Sequence, residues 1–199
     1  MTDGLVAGQT VGRFLESLGA RTPSPGGGAT SALAGALGAA QLLMVAEYAS
    51  WKPEDADPRE RLKLLVSLLL DLAQQDADAY GAYAEARPKR KEDPAPYAKT
   101  QLGITEVPAR VMERCVEAGE FAPDVLVRAP KWFAGDVLVA ATCLETGASG
   151  ARTFVVGNLS GLPADARPGF VARLAEADAR LDRARRKLEP LLLPRLPAS

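Results

Sequence analysis

Asp76 breaks a local rule. Leu62, Leu65, Leu69, Leu72, Asp76, Ala79 and Tyr83 recur at alternating spacings of three and four, which makes them one seam of a single helix. The other positions suit burial, but a carboxylate on an apolar stripe costs free energy unless it is paired or protonated. Desolvation raises the pKa of such a carboxyl toward neutrality, where it can take and return a proton. Asp76 is therefore a candidate general base and acid. The alternative is a buried aspartate bonded to a helix end, an arginine or a tyrosine. A second chemical element is the run Pro23-Ser-Pro25-Gly26-Gly27-Gly28. Prolines fix φ and glycines relax it, so the run predicts a tight, bent loop. A glycine loop feeding a helix N-terminus can hold a polar or anionic group on free N–H donors. The run is neither G-x-G-x-x-G nor a P-loop, so close packing competes with ligand contact as its purpose.

The chain has no histidine, which excludes Ser-His-Asp and Cys-His triads, histidine metal sites and histidine acid–base work. Its two cysteines, Cys115 and Cys143, form neither a disulfide framework nor, by themselves, a structural zinc site. Catalysis must then rest on carboxylates, Lys, Arg, Tyr, Ser or Thr, backbone donors or the substrate itself. With 24 basic and 25 acidic residues, bulk electrostatic binding to nucleic acid or to an anionic membrane is not expected. The N-terminus lacks the basic region and apolar core of a signal peptide, and a reducing cytoplasm fits.

These groups need helices to position them. The pattern predicts helices over about 10–18, 29–50, 62–83, 96–119, 124–128, 136–147 and 168–192. Pro108 should kink or divide the fourth. In the sixth, Gly147 and Gly150 invite a break, and Thr153-Phe-Val-Val has the look of a strand, although the region as a whole reads as helical. In the last, Glu176 with Arg180 and Asp182 with Arg186 are spaced for i,i+4 ion pairs. Residues 29–46 are apolar enough to suggest a membrane span, but Ala and Gly dominate and polar residues interrupt the run, so a buried helix is expected. Gly28, Ala32, Gly35 and Ala39 share one face, where another backbone can approach closely. No hairpin pattern appears elsewhere. The fold class is all-α, a multihelical bundle, with residues 1–199 forming one domain.

Taken in order, five segments resemble the cyclodeaminase/cyclohydrolase family, which comprises the C-terminal domain of formiminotransferase-cyclodeaminase and free-standing bacterial relatives, including methenyltetrahydrofolate cyclohydrolases. They are Phe14-Leu-Glu; Pro23-Ser-Pro-Gly-Gly-Gly with the Ala/Gly helix; Asp76-x-x-Ala79-Tyr80; Thr105-Glu106-Val-Pro108; and Asp136 followed by a Gly/Ala helix closing at Asn158. The resemblance implies an intertwined homodimer, a tetrahydrofolate substrate held partly at the interface, and no metal or redox cofactor. It implies one of two reactions. A cyclodeaminase closes the ring of 5-formiminotetrahydrofolate and releases ammonia. A cyclohydrolase adds water to 5,10-methenyltetrahydrofolate and opens it to the 10-formyl compound. Both pass through a tetrahedral carbon and need a proton shuttle.

On this reading Asp76 is the base/acid, and Asp136 either orients it, binds the pterin amino group or caps its own helix. Pro25, Gly26, Gly27, Gly28, Tyr80, Glu106 and Asn158 are the candidate substrate contacts. Glu106 could instead be exposed, Asn158 could cap a helix end, and Tyr80, Tyr83 and Trp132 stack on a pterin or pack in the core. Arg152 reads as a surface ion pair or as a holder of the folate tail. The chain has Ala129-Pro130 where the family commonly has Gly-Asn, Gly135 where it has Ser, and Phe154 where an asparagine is frequent. Those departures motivate a second reading, a catalytically silent helical dimer that binds a ligand or a protein.

Overall fold

The computed structural model describes residues 6–195, so the first five residues of the N-terminus read above for a leader lie outside it. Among the described residues there are seven α-helices and no strand: α1 (Val11–Leu18), α2 (Gly27–Tyr48), α3 (Arg59–Ala86), α4 (Pro94–Glu120), α5 (Ala122–Arg128), α6 (Ala134–Asn158) and α7 (Arg167–Leu192). The all-α expectation therefore holds.

Local chemistry sets the helix starts. The Thr10 side chain caps α1 by accepting from the Arg13 N–H at 3.2 Å. Helices α4, α5 and α7 each carry a proline in the first turn, where its missing N–H and fixed φ do no harm. Helix α2 is apolar on every side, which suits a helix wrapped by others. It is the central element, packed against α3, α4, α5 and α6. By length and composition alone it could cross a membrane, yet more than half of its most apolar window is buried inside the bundle.

Helices α2 and α6 run antiparallel at very short range. Gln41 Nε2 donates to Asp136 Oδ1 at 2.7 Å at one end, and Gly27 lies beneath the Phe154 ring at the other. A Cβ on Gly38 would stand 2.7 Å from the Ala140 carbonyl oxygen, and one on Gly147 would stand 2.7 Å from that of Ser31. Cys115 of α4 fills the remaining space: Cβ atoms on Gly35 or Gly147 would both strike its sulfur. Burial pushes the Cys115 thiol up to about 12.

The leucine seam of α3 is fully used. Leu62, Leu65, Leu69 and Leu72 are buried, and Asp76 follows at the seam's half-buried end. One expectation needs correcting: Pro108 does not divide α4, which runs as one helix from Pro94 to Glu120. The Thr153-Phe-Val-Val segment is helical, as expected for the region despite its strand-like residues: Val155 is buried in the core and Phe154 covers Gly27, so packing overrides the local β preference. On α7, Arg186 lies 3.9 Å from Asp182 as its spacing predicts. Arg180 instead bonds Glu120 of α4, and Glu176 pairs with Arg183.

Candidate active site

One end of the α2–α6 pair meets the middle of α4 and the C-terminal half of α3 in a cavity of about 280 Å³. Its wall is formed by Pro23, Ser24, Gly26, Gly27, Gly28, Asp76, Tyr80, Tyr83, Ile104, Pro108, Phe154 and Asn158. Six of the candidates named from the sequence thus converge: Asp76, Gly26, Gly27, Gly28, Tyr80 and Asn158. Pro25 follows a cis peptide bond in the same loop and is not itself a wall residue.

The glycine loop brings α2 up to the carboxylate. A Cβ on Gly28 would collide with all three carboxyl atoms of Asp76, and one on Gly27 would stand 2.5 Å from the Phe154 ring. The first N–H groups of a helix have no partner within it. Here Thr30 and Ser31 turn their hydroxyls back to the Gly26 and Gly27 carbonyls at 2.9 and 2.8 Å. Gly27 and Gly28 lie in the cavity wall, and the Ala29 backbone N–H is turned toward the Asp76 carboxyl. Burial raises the Asp76 pKa, and the Ala29 N–H opposes that rise without cancelling it. A half-buried carboxyl with a raised pKa, facing a cavity, is equipped to take up and return a proton.

Aromatic groups complete the walls. Tyr80, Tyr83 and Tyr97 form a ladder with ring centroids 6.2 and 5.8 Å apart, and Phe154 stands against Gly27. Burial, followed by the Tyr97 hydroxyl, raises the Tyr83 pKa, so its phenol stays protonated at neutral pH. Asn158, the sole asparagine, donates from Nδ2 to the Ile104 carbonyl at 2.9 Å, and its backbone carbonyl receives Gln101 Nε2 at 3.5 Å.

Other candidates lie elsewhere. Glu106 sits two positions from both Ile104 and Pro108, about 200° around α4 from each. There it pairs with Arg173 of α7, which also holds Glu113 at 2.6 Å, so Glu106 does not face the cavity. Asp136 is not a cap: Phe133 holds that position, and Asp136 is the third residue of α6. It lies about 27 Å along α6 from Phe154. Trp132 is 77% exposed and stacks near Phe133, at the same remote end. Arg152 pairs with Asp178 on the surface. Sequence reasoning missed Ile104 and Phe154 as wall residues. Ile104 was legible, because it stands one helical turn before Pro108 on the same face.

The chain is 29% identical over 191 residues to a methenyltetrahydrofolate cyclohydrolase of Methylorubrum extorquens, covering 89% of this chain and 91% of that protein. The crystal structure of a formiminotetrahydrofolate cyclodeaminase from Thermotoga maritima has the same fold, with a TM-score of 0.85 at 22% identity over 94% of this chain and 97% of that one. A family model described as formiminotransferase-cyclodeaminase matches residues 10–176. Because that match runs from the cap of α1 into α7 and takes in every wall of the cavity, the chain belongs to the formiminotransferase-cyclodeaminase family.

Proposed function

We propose that the cavity binds a tetrahydrofolate carrying a one-carbon unit at N5 and N10, and that Asp76 shuttles the proton in its interconversion. The observation that carries this reading is the half-buried Asp76 carboxyl, with its raised pKa, set against Gly28 at the N-terminus of α2. In hydrolysis, Asp76 takes a proton from the water that adds to the methenyl carbon. It returns that proton to N5 as the C–N5 bond breaks, while the hydroxyl proton of the tetrahedral carbon leaves to solvent and its oxygen becomes the carbonyl of the 10-formyl product. In cyclodeamination, N10 attacks the formimino carbon and loses its proton to Asp76, which then protonates the departing ammonia. The Gly27 and Gly28 N–H groups and the aromatic wall supply donors and stacking surface for a planar heterocycle. The cyclohydrolase relative, matched over nearly its whole length, puts hydrolysis first in the order of assay.

A homodimer belongs to the same reading. It is supported by the outer face of α6, where exposed Leu138, Val139, Thr142, Thr146, Thr153 and Val156 form an uncharged run beside Glu145, which Arg185 pairs. Beside α1, an apolar groove of about 470 Å³ leaves Val11, Leu15 and Leu37 exposed. A two-fold axis crossing α6 near Thr146 would pair position 136 of one protomer with position 156 of the other, and so would bring Asp136 toward the end of α6 that lines its partner's cavity. Free Cys115 and Cys143 and a folate substrate fit a reducing cytoplasm.

The test follows the near-ultraviolet absorbance of 5,10-methenyltetrahydrofolate, with 5-formiminotetrahydrofolate in parallel. Loss of the methenyl band above the spontaneous rate identifies hydrolysis, and its appearance with ammonia identifies cyclodeamination. Folded protein that binds the folate and changes neither would replace the reading with that of a ligand-binding module.

A further inference from the structure

Proline has no N–H, so Pro108 leaves the carbonyl four residues earlier without its helical donor. That carbonyl belongs to Ile104, and the Asn158 side chain donates to it at 2.9 Å from α6. The vacancy and its filler lie 54 residues apart in sequence, and both residues line the cavity. A carbonyl oxygen accepts only from the amide nitrogen of an asparagine, so the amide is fixed with Nδ2 toward α4. Oδ1 is left at the cavity side with no donor among the described residues.

We infer that Pro108, Ile104 and Asn158 form one orienting device, in which the proline-freed carbonyl locks the asparagine so that it presents an acceptor, and selects a ligand edge bearing N–H. This inference rests on the folate reading for its ligand, where the N–H-bearing edge of the pterin is the matching group. Asn158 is thus a specificity-determining contact and Pro108 a positioning residue that acts through it. The device also accounts for a proline in mid-helix beside the cavity and for an asparagine in a chain that otherwise has none.

The test is a double-mutant cycle of Pro108→Ala and Asn158→Asp, read by urea unfolding and by calorimetric titration with tetrahydrofolate. Asn158→Asp keeps an acceptor but turns it against the Ile104 carbonyl. We expect it to weaken folate binding about tenfold, the worth of roughly one hydrogen bond. Pro108→Ala gives Ile104 a backbone donor and releases Asn158 to turn, which also weakens binding. In the double variant Ile104 is already satisfied, so the aspartate can again face the ligand as an acceptor. Its affinity should recover to well above that of Asn158→Asp alone, and its stability should exceed the sum of the single effects.

Additive unfolding effects would overturn the lock. Coupled unfolding with folate affinity indifferent to both substitutions would overturn the selection of the ligand edge. If the unmutated protein gives no folate titration, the folate reading fails, while the urea cycle still decides the lock.

Discussion

Gly28→Ala separates the site from the fold that carries it. The added Cβ would stand 2.5 Å from Asp76 Oδ2 and closer to the other two carboxyl atoms, where ordinary contact begins near 3.4 Å. The carboxyl must retreat by about 1 Å, a misplacement that costs a reacting group on the order of 100-fold. That corresponds to about 2.7 kcal/mol of barrier. The stability cost should be small, because the atoms in the way are the end of a half-buried side chain that can rotate. Replacing glycine in a helix gains roughly 0.5–1 kcal/mol, and mild overpacking costs about 1 kcal/mol, so the two nearly cancel. The expected result is a fall in kcat/KM of about two decades with a urea midpoint close to that of the parent. A folded variant with undiminished kcat/KM would show that the position of Asp76 is irrelevant to turnover and would remove it as the proton carrier.

Asp76→Asn should abolish turnover while stabilising the protein at neutral pH. The folded protein holds the Asp76 proton more tightly than the unfolded chain. The parent therefore loses stability as pH rises above 3.8, the unfolded value, until the raised folded pKa is passed. The stability gap between variant and parent should vanish in acid, and a gap independent of pH would deny the raised pKa. Gly147→Ala presses a methyl on the Ser31 carbonyl, which cannot rotate away, so unfolding should cost about 2 kcal/mol less than in the parent. A variant as stable as the parent would mean that α2 and α6 can part. Equal amounts of Asp76→Asn and Asp136→Asn protein, unfolded and refolded together, should recover about a quarter of parental activity if each site draws these residues from different subunits of a two-fold dimer. No recovery would leave Asp136 outside the partner's cavity.

Much of this arrangement was legible in residue order. The α3 seam gave both a helix and its anomaly, because a period of alternating threes and fours leaves Asp76 no other face. The proline-glycine loop marked the start of α2 because glycine and proline punctuate structure locally. What failed to show was tertiary. Pro108 looked like a break because its substitute donor, Asn158, stands in another helix. Thr153-Phe-Val-Val looked like a strand because its partners, Gly27 and the core, lie far away in sequence. The direction of Glu106 was readable too. A residue 200° around the helix from Ile104 faces away from whatever Ile104 lines, and Arg173 awaits it there.

The sulfur of Cys115 sits in space that Gly35 and Gly147 leave vacant, at the junction of α2, α4 and α6. A thiol so enclosed, with its pKa pushed up to about 12, is shut off from alkylating reagents while the junction holds. Its labelling rate therefore counts how often three helices separate, with a reporter the chain already carries. Partly exposed Cys143, one position before the α6 residue that packs under Gly38, supplies the internal reference for open access. The ratio of the two rates turns this close packing into a measured opening free energy, and its change on adding a folate would register how far ligand binding at one end of α2 and α6 quiets their middle.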